Sequence, residues 1–211
     1  MHVYFVRHGE TELNKKHIHQ TPNTGLSEGG KEAVLTTGEL LRGVNPDLLL
    51  TSEYTRAVES AKIIGSCVGL SAKQDNLFYE IMRPSKLSGK SHFGPGTFWY
   101  IVLSVLHRND PSWRYEDAEN PFDISGRAKK ALRYLESLQG TYESVIVVSH
   151  TIFINLMISY MCDNRMLSIR DLMFTFLYVK RMKNAGVAHL EYVGKTQGGT
   201  CGWKLVEMDM K

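Results

Sequence analysis

The run Val145–Val148 is continuously apolar and ends abruptly at Ser149-His150. A strand without polar alternation has both faces covered, which is the condition of a parallel sheet held between two layers of helices. His2–Val6 and Leu48–Thr51 are runs of the same kind, and each is followed by a segment of helical period. Ala33, Val34, Leu40 and Leu41 set that period in a helix over Ser27–Arg42, closed by Gly43. Ala57, Val58, Ala61, Ile64 and Cys67 set it in a second helix, with Ser52 or Thr55 as its cap. Repeated strand–helix alternation predicts an α/β chain, a three-layer α/β/α sandwich with a mostly parallel sheet.

A strand near Ala72–Asn76 is followed by a break in the rhythm from Leu77 to Pro121, a stretch rich in aromatics and holding four of the six prolines. We read 1–211 as one domain with an insertion of helix and loop at about 77–121, covering the active site. The aromatics of Phe93–Tyr100 are expected to form that insertion's own core. The rhythm returns with a helix capped by Asp123 and running to about Leu138, the Val145–Val148 strand, and a helix over Ile152–Met161. Leu172–Val179, Ala188–Tyr192 and Trp203–Val206 then read as strands, with Gly198-Gly199 turning between the last two, and are expected to add an antiparallel edge to the sheet.

Charge and cysteine content exclude several classes. With 25 Lys+Arg against 22 Asp+Glu the formal charge is +3, too little for a basic footprint on nucleic acid or an anionic membrane. Cys67, Cys162 and Cys201 are odd in number and far apart, so we count neither a disulfide framework nor a CxxC motif. A reducing compartment, and with no export signal at Met1–Val6 a cytoplasmic location, is the expectation. The apolar stretches Ile152–Met161 and Leu172–Val179 are too short to cross about 30 Å of hydrocarbon.

In open α/β sheets ligands bind beyond the carboxyl ends of the strands. The three junctions there carry Arg7-His8-Gly9, Ser52 with Arg56, and Ser149-His150. Two arginines and two histidines repel one another unless an anion of two or more charges sits among them, and a phosphoryl group fits. Helix starts near Tyr54 and Ile152 would add backbone N–H donors.

Arg7-His8-Gly9-Glu10-Thr11 with Asn14 resembles the RHGET…N signature of the histidine phosphatase superfamily, the phosphoglycerate-mutase-like enzymes. Leu26-Ser27-Glu28-Gly29-Gly30 is similar to that family's LTxxG, Thr51–Ala57 to its TSxxxRA, and Val147–His150 to its VSH. Trp203-Lys204-Leu205 also resembles the family's ending. The resemblance spans most of the chain outside the insertion and implies a covalent phosphohistidine mechanism with no metal and no other cofactor. Thr151 stands where the family usually has glycine. Glu80-Ile81-Met82-Arg83-Pro84-Ser85 replaces the glutamate-arginine-histidine-tyrosine stretch of the glycolytic mutases, which favours a phosphatase over a mutase.

The roles combine the resemblance with physical requirements. His8 is the nucleophile, a neutral imidazole whose other nitrogen is held by a backbone carbonyl in the Gly9 loop. Arg7, Arg56, His150 and Asn14 bind the phosphoryl oxygens, and Glu80 supplies the leaving group's proton and later activates water. The expected partner is a small phosphorylated substrate, or a phosphoprotein; the oligomeric state is not legible. The rivals are a phosphotransferring mutase and a binding module that has lost turnover. His17-Ile18-His19 reads as a polar loop because no carboxylate or cysteine completes a metal set. Gly89-Lys90-Ser91 lacks the first glycine of a P-loop. Arg83, Lys86 and Lys90 are either solvated or at the pocket mouth.

Overall fold

The computed structural model describes residues 1–162, 182–194 and 201–210. The strand expected over Leu172–Val179 and the turn at Gly198-Gly199 lie outside them. In chain order the elements are β1 (His2–Arg7), α1 (Glu12–Lys15), α2 (Glu28–Arg42), β2 (Leu48–Thr51), α3 (Thr55–Val68), β3 (Lys73–Gln74), α4 (Pro95–Leu106), α5 (Pro121–Ser137), β4 (Ser144–Ser149), α6 (Thr151–Tyr160), β5 (Val187–Tyr192) and β6 (Trp203–Met208). The sheet runs β3-β2-β4-β1-β5-β6. Its first four strands are parallel, and β5 and β6 turn antiparallel at the edge.

Alternation along the central strands separates the two layers. Val3 and Phe5 of β1 and Val145 and Val147 of β4 pack with Ala128, Ala131 and Leu135 of α5 and Phe153 and Leu156 of α6. Tyr4, Val6, Ile146 and Val148 face the other way, against Val34 and Leu41 of α2 and Ala57, Ala61 and Ile64 of α3. All six residues of β4 are buried, as a doubly covered strand requires. The register sets Arg7 beside Ser149 and Thr51 beside Val148, so β1, β2 and β4 end level.

Several local expectations change. The cap of α3 is Tyr54, which makes no side-chain cap hydrogen bond. Ser52 Oγ instead accepts the Tyr54 amide at 3.3 Å. Asp123 is the inner half of a capping box whose cap is Asn120: Asn120 Oδ1 accepts from the Asp123 amide at 2.8 Å, and Asp123 Oδ2 from the Asn120 amide at 3.2 Å. The cysteine reading is overturned. Cys162, after α6, and Cys201, before β6, form a disulfide with Cα atoms 5.0 Å apart, while Cys67 is a buried thiol. Their separation of 39 residues carries no local spacing signal, and the reducing compartment loses its premise. Among the described residues no helix is long and apolar enough to cross a membrane.

Between β3 and α5 the chain makes two 3-10 turns and α4 around a small cluster of Leu87, Tyr100 and Ala118. Of the Phe93–Tyr100 aromatics only Tyr100 is buried. Phe93, Phe98 and Trp99 are 77%, 61% and 57% exposed, because α4 turns inward only Thr97 and Tyr100, too narrow a stripe to cover the rest. The segment is fastened to α5 by Arg127. Its Nε and Nη2 donate to Glu119 Oε1 and Oε2 at 2.9 and 2.8 Å, and Nη1 donates to the Tyr79 carbonyl at 2.7 Å. The guanidinium also stacks 3.7 Å from the Tyr79 ring centroid and 4.2 Å from that of Phe153. Both side chains of the pair are 9% exposed. Glu119→Gln is therefore expected to cost about 3–5 kcal/mol in urea unfolding, since it strands a buried guanidinium. Replacing both residues by apolar ones should recover part of the loss. A single-variant cost under about 1 kcal/mol would show that the pair is not a fastening.

Candidate active site

His8 follows β1 directly, its amide donating to the Ser149 carbonyl at 3.0 Å, and Ser52 follows β2 with its amide on the Val148 carbonyl at 3.0 Å. Level strand ends thus bring His8, Ser52 and His150 together. The chain must turn sharply at Gly9 against α2. A Cβ on Gly9 would come within 2.6 Å of the Gly30 carbonyl oxygen, and one on Gly30 would collide with the backbone of Glu10. The Gly9 amide is taken by Ser60 Oγ at 3.0 Å.

Two contacts select one tautomer of His8, which is 4% exposed. Nδ1 lies 2.7 Å from the Gly9 carbonyl and must be the protonated nitrogen. Nε2 accepts from Arg56 Nε at 3.2 Å and carries the lone pair. Burial, then Arg56 and Arg7, hold the imidazole's pKa well below 6.5 against the opposing Gly9 bond, so the ring is neutral at pH 7. Burial lowers Arg56 to about 10, which leaves it a cation. Arg56 is aimed by Nη1 on the Thr21 carbonyl at 3.0 Å, and Arg7 by Nη1 on the Met182 carbonyl at 2.5 Å.

His150 is wholly buried, its ring centroid 5.1 Å from that of His8. It is not among the residues that line the cavity. Nε2 meets Ser52 Oγ at 2.8 Å, and among the described residues nothing hydrogen-bonds Nδ1. Burial first, then Arg56 and His8, lower its pKa well below 6.5. Asn14 closes the capping box of α1, its Oδ1 accepting from the Thr11 amide at 3.3 Å, and lines the cavity.

Glu80 lies on the cavity wall at the start of α6. Oε1 accepts from the amides of Ile81 and Phe153 at 3.0 and 3.2 Å, and Oε2 faces the Ile152 amide at 3.5 Å. The helix start expected to serve a phosphate thus holds a carboxylate. The cavity measures about 580 Å³, and Arg7, His8, Asn14, Arg56 and Glu80 all line it.

Three further groups stand on this wall: His19, expected in a polar loop, His92, and Arg83, for which the structure selects the pocket over the solvated alternative. The loop at Ile18 pairs with Ser91, which buries His19 to 4% exposure, so 17–19 is not a simple polar loop. His92 and Arg83 line the cavity beside it. Lys86 pairs outside with Glu116, and Lys90 is not on the wall.

The family model of the histidine phosphatase superfamily (branch 1) matches residues 3–197. Agropine synthesis reductase of Rhizobium rhizogenes is 30% identical over 158 residues, covering 70% of this chain and 32% of that protein. A phosphoglycerate mutase of Candida albicans is 36% identical over 95 residues, 44% of this chain and 36% of its own length. The matched part is thus about a third of each of these relatives. Among solved structures, mycobacterial glucosyl-3-phosphoglycerate phosphatase complexed with VO3 shares the fold at a TM-score of 0.77 and 21% identity, over 100% of this chain and 99% of that one.

Proposed function

Since the chain belongs to the histidine phosphatase superfamily, we propose that it is a phosphatase of phosphomonoesters working through a phosphohistidine on His8 without a metal ion. The observation that carries this is the tautomer of His8, with Nδ1–H spent on the Gly9 carbonyl and the lone pair of Nε2 beside a guanidinium. Nε2 attacks phosphorus in line, the P–O bond to the leaving group breaks, and Glu80 gives that oxygen its proton. Glu80 then takes a proton from water as the water's oxygen attacks phosphorus, the P–N bond breaks, and its electron pair returns to Nε2. Arg7 and Arg56 balance the charge on the transferred group. Segment 77–121 covers the site and selects the leaving group, a small phosphorylated molecule.

Incubation with a panel of phosphomonoesters is expected to release inorganic phosphate, and rapid quench with labelled substrate to trap an acid-labile, base-stable adduct on His8. Rates should be unchanged in EDTA, because guanidinium and imidazole groups already supply the positive charge. Label on another residue overturns the nucleophile. Activity lost in EDTA and restored only by a metal ion overturns the metal-free step. Label transferred to a second substrate molecule in place of water marks a mutase.

A further inference from the structure

Arg83 is the cation on this cavity wall that the mechanism leaves unused. Other cations of the same segment and of α5 are paired: Lys86 with Glu116, Arg114 with Asp123 and Arg127 with Glu119. Among the described residues no carboxylate lies within ion-pairing distance of Arg83. The acids of the same wall are committed elsewhere, Glu80 to the amides of α6, Asp117 to the Ser85 amide at 2.9 Å, and Glu10 to Lys15 at 3.4 Å.

A directional chain of hydrogen bonds aims Arg83 instead. Thr97 Oγ1 donates to the Ser91 carbonyl at 3.1 Å, so it accepts from His19 Nε2–H at 2.9 Å. His19 Nδ1 is then left as the acceptor for Arg83 Nη1 at 3.2 Å. Burial, Arg83 and His92 hold the His19 imidazole down at about 3, which keeps it an acceptor throughout the neutral range. Arg83 lines the same cavity as Arg7, His8 and Arg56, and stands near enough to Arg56 to help lower that group's pKa. A half-buried guanidinium with one edge fixed on a neutral imidazole keeps its other donors for an anion.

We propose that Arg83 binds a second anionic group, carboxylate or phosphate, on the organic part of the substrate, with His19 and Thr97 as its positioning residues. The inference rests on the phosphomonoester reading above. Its test is binding to the His8→Ala chain, in which the ester survives, measured by calorimetry with two matched pairs. 3-Phosphoglycerate against glycerol 3-phosphate exchanges a carboxylate for a neutral group, and fructose 1,6-bisphosphate against fructose 6-phosphate does so for a phosphate. One member of a pair is expected to bind about ten- to a hundredfold more tightly for its second anion. Arg83→Gln should bring that ratio within about threefold, and Arg83→Lys, which keeps charge without the fork, should retain part of it. Thr97→Val should lower the ratio by a smaller factor, with KM and not kcat moving when the same variant is made in the active chain. Urea midpoints of the variants, set beside Arg83→Lys, exclude a folding defect. A ratio near one in both pairs, or one that survives Arg83→Gln, overturns the inference. If the active chain still hydrolyses both members of a pair, the phosphatase reading stands without it. Failure of every ligand to bind at millimolar concentration overturns both.

Discussion

Substitution of His8 by alanine is expected to lower kcat on every phosphomonoester by about 10⁵- to 10⁶-fold, because it removes the covalent route itself. Arg56→Ala should cost less, about 10²- to 10³-fold, since it deletes one of several charge-stabilising donors. The contrast follows from geometry. The lone pair of His8 Nε2 has no substitute on the cavity wall, as the His150 ring is wholly buried with Nε2 on Ser52. In the proposed step Arg7 as well as Arg56 holds the transferred group. Steady-state rates with p-nitrophenyl phosphate, together with the absence of trapped label in His8→Ala, check this. A His8→Ala chain that keeps a tenth of its activity would remove His8 from the reaction.

The second large effect concerns Glu80. Glu80→Gln should slow alkyl phosphates by about 10²- to 10⁴-fold and p-nitrophenyl phosphate far less in the first step, because a nitrophenolate leaves without a proton. The same residue also holds the start of α6 through the Phe153 amide, so the variant disturbs structure as well as chemistry. A structural loss lowers both esters alike; loss of a proton donor separates them. Loss of the base that activates water adds a second signature, accumulation of phosphohistidine during turnover of p-nitrophenyl phosphate. Equal losses on the two esters with no accumulation would transfer the role to another carboxylate.

What was legible in the sequence follows range of interaction. The doubly buried strands announced themselves because every position along β4 faces apolar neighbours. Arg7, His8 and His150 were legible as residues at strand ends and Arg56 as one at the helix start after β2, since a parallel sheet delivers those junctions to one edge whatever the loops do. The hydrogen-bonded chain from Arg83 through His19 to Thr97 was not, because its links span 64 and 78 positions, although Arg83 alone was a candidate for the pocket mouth. The disulfide was missed because its cysteines lie 39 positions apart, and the Asn120 cap because Asp123, the inner half of the same capping box, carries the same cap chemistry. Arg127 did leave a signal. It falls on the buried stripe of α5 with Ile124, Ala128 and Ala131, where a charge demands a buried partner.

The contact between Gly9 and Gly30 bears on how such a site can change by descent. A side chain on either residue strikes backbone of the other's segment, not a side chain that could be trimmed in compensation. Shortening Val34, the other neighbour of Gly9, would relieve only part of one collision. The two positions therefore form an epistatic pair without a rescuing partner, and single substitutions that explore new specificities are driven away from this loop. The open ground for divergence is the wall contributed by 77–121, where Arg83 and its neighbours can be exchanged while the backbone that carries the nucleophile stays as it is.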